Sequence, residues 1–70
     1  MGHLYLVDLV SVMVDQQLAP SRRQALRLLA DGAVRLNNEV WREAEAPLVS
    51  GDVLRVGRRG WLRFTDAYST

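Results

Sequence analysis

The chain has no cysteine among its 70 residues and no lysine. Without cysteine there are no disulfides, no thiolate catalysis and no cysteine-based zinc site, and the redox compartment is left open. No apolar run approaches the roughly 18 residues that cross a bilayer. Asp8 and Asp15 interrupt the apolar start that a signal peptide would need, so a cytoplasmic location is expected. Histidine occurs once, at His3 beside the terminus. No metal-ligand spacing, nucleophile–base pair or phosphate-cradling glycine loop is present, so neither catalysis nor a metal or cofactor is expected.

What is there points to one small globular domain. The hydrophobic fraction is 49%, which argues against wholesale disorder. Chains this short bury only about 60% of their unfolded surface, so the core has few positions to spare. The net charge is +1, and all nine basic residues are arginine. Arginine holds phosphate oxygens bidentately and stacks on bases, whereas lysine acts mainly as a point charge. A GC-rich genome would account for the missing lysine, though not for where the arginines are placed.

The pattern from Leu4 to Leu18 places Leu6, Leu9, Val10, Met13 and Val14 on one side of a helix. Pro20 separates it from a second helix. Ser21 is a good N-cap, and Gln24 completes an S-x-x-Q capping box. Gly32 ends that helix. Arg23 and Arg27, four residues apart, share its outer face. The period then changes: Val34-Arg35-Leu36 alternates as a strand, Asn37-Asn38 suits a two-residue turn, and Glu39 to Arg42 returns. Glu43 to Asp52 reads as a loop, and Val53–Gly57 and Trp61–Thr65 as strands joined by the basic turn Gly57-Arg58-Arg59-Gly60. The expected fold class is α+β: two N-terminal helices packed on a small, mainly antiparallel sheet of about four short strands.

The run Ser21 to Asn38 resembles the ribosomal protein S-four-like RNA-binding domain, also called the αL motif. Ser21, Arg22, Arg23, Ala25, Leu29, Gly32, Val34 and Asn37 carry the likeness. The ending GDVLRVGRRGWLRF, from Gly51 to Phe64, is similar to the close of the C-terminal domain of bacterial tyrosyl-tRNA synthetases. Ala33 stands where a second glycine is common, Asn38 where glycine usually completes the turn, and Arg58 where lysine is usual. The resemblance implies a single RNA-binding domain over residues 4–65. Residues 1–3 are then a disordered start or expression remnant, and 66–70 a tail. It also implies docking on the anticodon arm and long variable arm of tRNA, with activation chemistry left to the catalytic domain of a parent synthetase.

Physical chemistry points to the same residues. Arg22 and Arg23 fall in the first turn of a helix, where free N–H groups and the dipole already favour an anion. Arg27 extends that face, Arg35 continues it along a strand, and Arg58 and Arg59 reach from a turn. Neutralising about five phosphates would give a log–log salt slope of about −4. Ser21, Asn37 and Asn38 complete the candidate RNA-binding set. Plainer roles stand beside these. Arg27 has Asp31 at i+4, Ser21 caps its helix, and Asn37 and Asn38 form a turn. Trp41 and Trp61 are covers for core or sheet or else platforms for base stacking, and Arg42, Arg55 and Arg63 are exposed strand residues. Three readings remain open: a tRNA-binding synthetase appendage, a free-standing rRNA- or ribosome-binding protein, and a protein-interaction module without RNA.

Overall fold

Two helices and six strands, an α+β arrangement, emerge in the computed structural model, which describes residues 5–65. His3, the expected start over residues 1–3 and the expected tail over 66–70 lie outside the described residues. In chain order the elements are β1 (Tyr5–Asp8), α1 (Leu9–Asp15), α2 (Arg22–Ala30), β2 (Val34–Leu36), β3 (Glu39–Val40), β4 (Glu45–Leu48), β5 (Val53–Val56) and β6 (Gly60–Arg63). Strands β3-β2-β5-β6 form one antiparallel sheet, and β1-β4 a separate antiparallel pair.

Two expectations change. The first helix does not begin at Leu4, because Tyr5–Asp8 is a strand and Asp8 caps a helix that starts at Leu9. The expected loop over residues 43–52 contains β4, which pairs with β1 in the register Tyr5↔Leu48 to Asp8↔Glu45. The expected sheet of about four strands is β3-β2-β5-β6, and among the described residues the β1-β4 pair is added to it. Helical spacing of Leu6, Leu9, Val10 and Met13 masked the change of structure at Asp8, and Pro47 disguised β4. Proline is tolerated on a short edge strand, where its missing N–H breaks no ladder. Two ends also move: the strand after the asparagine turn stops at Val40, and the last strand at Arg63.

Both helices end on the same device. At α1, Leu18 N–H bonds the Met13 carbonyl at 2.7 Å and Gln17 N–H the Val14 carbonyl at 3.1 Å, with Gln17 at φ 60°. At α2, Ala33 N–H bonds the Leu28 carbonyl at 3.0 Å and Gly32 N–H the Leu29 carbonyl at 3.1 Å. These pairs are the two bonds of the Schellman ending. Gly32 holds φ 76°, a conformation that glycine adopts without steric penalty.

One apolar core joins all these pieces. Leu9, Val10 and Met13 from α1 meet Ala25 and Leu29 from α2. Beneath them lie Val34 and Leu36 of β2, Leu54 and Val56 of β5, and Ala46 and Leu48 of β4. The four-stranded sheet thus turns the even-numbered residues of β2, β5 and β6 inward. Its other face carries Arg35, Arg55, Trp61 and Arg63, all exposed.

Candidate nucleic-acid interface

Helix α2 starts as its residues dictate. Ser21 is extended (φ −157°, ψ 166°), and its hydroxyl accepts the Gln24 N–H at 3.2 Å. The return bond of a full capping box is not made among the described residues. Ala25 and Leu29 are buried on one side, which leaves Arg22, Arg23 and Arg27 exposed on the others.

The three helix arginines do not stand alike. Arg22 Nη1 donates to the Ser11 hydroxyl at 2.9 Å, and its Nη2 lies 3.8 Å from Asp8 Oδ2. It therefore ties the start of α2 to the cap of α1. Arg27 Nε lies 3.9 Å from Asp31 on an open helix face, a pair of small energetic weight. Arg23 makes no ion pair among the described residues, and the same holds for Arg35, Arg55, Arg58, Arg59 and Arg63.

Arg58 and Arg59 occupy the turn between β5 and β6, where Gly57 takes φ 51°. Gly57 N–H bonds the Ala33 carbonyl at 2.8 Å, just past the end of α2. On the other side Gly60 is so close to Leu18 that an added Cβ would lie 3.2 Å from its Cδ2. Leu18 belongs to the α1–α2 connection, three residues before Ser21. The arginine turn is thus seated against both the approach to α2 and its exit. A helix of nine residues spans about 14 Å.

The remaining candidates are spread over different parts of the fold. Asn37 and Asn38 have φ 52° and 71°, the two positive values that a tight hairpin turn requires. The Asn37 amide donates to Asp52 at 3.0 Å and its oxygen accepts Val53 N–H at 2.9 Å, which clamps the turn to β5. Arg35 points from the outer face of β2, on the far side of the sheet from the core that α2 shares. Trp41 packs against the core and donates Nε1–H to the Glu45 carbonyl at 3.1 Å, whereas Trp61 is 59% exposed.

Two arginines have structural roles that their local sequence does not reveal. Arg42 donates to the Ala30 carbonyl at 2.6 Å, closing the last turn of α2 beneath Gly32. Arg22 has its partners at Ser11 and Asp8. The Asp8-x-x-Ser11 spacing is a usable signal, but only once the helix is known to start at Leu9.

The Asp8 carboxyl is held below its ordinary value of 3.8. The Ser11 N–H contributes most, followed by the Ser11 hydroxyl, with Arg22 and the Val10 N–H adding less. A native value below the unfolded one contributes stability above the ordinary pKa and loses it as pH falls through the depressed value. Thermal melts from neutral pH to about pH 3 should show that loss. Asp8→Asn should be less stable at neutral pH and should flatten the acid limb. An unchanged acid limb would remove Asp8 as its source.

Among the described residues no group of three or more His, Asp or Glu could hold a metal ion, and no helix is long and apolar enough to cross a membrane. Comparison with protein families gives a match to the tyrosine–tRNA ligase SYY-like C-terminal domain over residues 5–60. Comparison with curated proteins gives no match.

Proposed function

Because the chain belongs to the tyrosine–tRNA ligase SYY-like C-terminal domain family, we propose that it is the tRNA-binding module of a tyrosyl-tRNA synthetase with the αL RNA-binding fold. It docks on the anticodon arm and long variable arm of tRNA in the cytoplasm. Amino-acid activation belongs to the parent's catalytic domain. The observation that carries the reading is the seating of the Arg58-Arg59 turn between Leu18, in the connection that leads to α2, and Ala33, just past its end. Arg23, Arg58 and Arg59, exposed and without ion pairs among the described residues, take the phosphates first.

Arg22 and Arg27 are secondary contacts, since each would have to exchange a carboxylate for a phosphate. Ser21 shapes the start of α2, and the Asn37-Asn38 turn, at the opposite end of β2 from the Arg58-Arg59 turn, is a separate contact with the RNA backbone. Arg35 stands apart from these, as an RNA contact on the outer face of the sheet. Three phosphates neutralised by Arg23, Arg58 and Arg59 give a salt slope of about −3. Contacts of this kind read RNA shape rather than sequence.

Titration with tyrosine tRNA tests the proposal. Shortening the variable arm should weaken binding by about tenfold or more, because at least one charge-assisted hydrogen bond to phosphate goes unmade. Equal affinity for the intact and shortened tRNA would eliminate the variable arm as the target.

A further inference from the structure

The outer face of the four-stranded sheet carries a row that the docking surface on α2 does not use. Register places Val40 of β3 opposite Arg35 of β2, Arg35 opposite Arg55 of β5, and Arg55 opposite Trp61 of β6. Cross-strand partners share a face, and all four side chains are exposed. Arg63, two residues beyond Trp61, projects from the same side. Neighbouring strands lie about 4.8 Å apart, so the row runs about 14 Å across the sheet.

Its chemistry is one-sided. Like charges directly opposite one another destabilise a sheet, and Arg35 faces Arg55 with no intervening acid. Among the described residues none of Arg35, Arg55 and Arg63 makes an ion pair, and no carboxylate projects from the outward rows of β2, β5 or β6. An anion would relieve that repulsion. Beside the arginines, Trp61 is 59% exposed and offers a flat ring to solvent. Guanidinium groups next to an open aromatic ring suit unpaired nucleotides, whose phosphates pair with arginine while a base stacks on the ring. The face is also continuous with the first site, because the Arg58-Arg59 turn joins β5 directly to β6.

We infer that this face is a second RNA subsite, formed by Arg35, Arg55, Arg63 and Trp61, which holds a single-stranded segment leaving the helical arm docked at α2. The inference rests on the RNA-binding reading. Its test compares a blunt RNA stem with the same stem carrying a short unpaired tail, both titrated against the chain. The tailed RNA should bind more tightly and quench tryptophan fluorescence. Trp61→Leu and Arg55→Gln should each remove about tenfold of the tail's advantage and leave blunt-stem affinity unchanged. Both positions are exposed, and thermal melts of each variant verify folding. Equal binding of tailed and blunt RNA, or a tail advantage retained in both variants, overturns the subsite and leaves the face to a protein partner. Failure of the parent chain to bind either RNA overturns the docking reading, and the subsite with it.

Discussion

Replacing Arg23, Arg58 and Arg59 together with glutamate should weaken tRNA binding by about a thousandfold and leave the fold intact. Each substitution removes a charge-assisted interaction worth about 1.5 kcal/mol or more and adds repulsion against phosphate. The salt slope should fall towards zero in the same variant. Folding should survive because the three side chains are exposed and unpaired among the described residues, and such positions shift stability by only about 0.5 kcal/mol. At position 23 glutamate even gains from the helix dipole, since the first turn of α2 otherwise carries no acid. Electrophoretic or fluorescence titration reads the binding, and circular dichroism the fold. Full affinity in a folded variant would show that the platform does not hold the RNA.

Leu54→Ala should be the most damaging substitution for stability. Leu54 is fully buried in the middle of β5, between Leu36 on β2 and Leu62 on β6. Truncation there should cost about 2–5 kcal/mol through reduced burial and the cavity left behind. A domain of 70 residues has about 4–10 kcal/mol in all. The melting midpoint should drop by about 10 °C or more, and part of the population should be unfolded at room temperature. RNA binding should fall with it, because β5 carries Arg55 and supports the arginine turn. Leu6→Ala is the contrast. That side chain is 70% exposed, and its truncation should be almost silent. If Leu54→Ala melted with the parent, the described core would be wrong.

Legibility followed the range of the interactions. Helix α2 was readable because its instructions are local: a capping serine, an apolar arc at Ala25 and Leu29, and a glycine just past the end. The asparagine turn was readable for the same reason, its two positive φ values being local backbone geometry. Strands β1 and β4 were not. Each is stabilised by the other across about forty residues of chain, and neither alternation nor composition marks them strongly. The short span of Tyr5–Asp8 was instead absorbed into the helical spacing that continues through Met13.

The candidate surface divides along the same line. Local reasoning put Arg22 and Arg27 beside Arg23, but only folding brought Asp8 and Ser11 within reach of Arg22. Arg55 and Arg63 read as ordinary exposed strand residues, and Trp61 as a cover for core or sheet. Their period-two exposure was visible, but the pairing register that lines Arg55 up with Arg35 and Trp61 was not.

By itself, then, the order of residues determined the α+β class, the limits of α2, the tight turns and the absence of thiol chemistry, since each depends on composition or on neighbours a few positions apart. Folding alone decided that Arg22 and Arg42 are tied to Ser11, Asp8 and the Ala30 carbonyl, whereas the Arg27–Asp31 pair is local. Those two ties depend on distances between segments eleven or more residues apart, which no local pattern encodes.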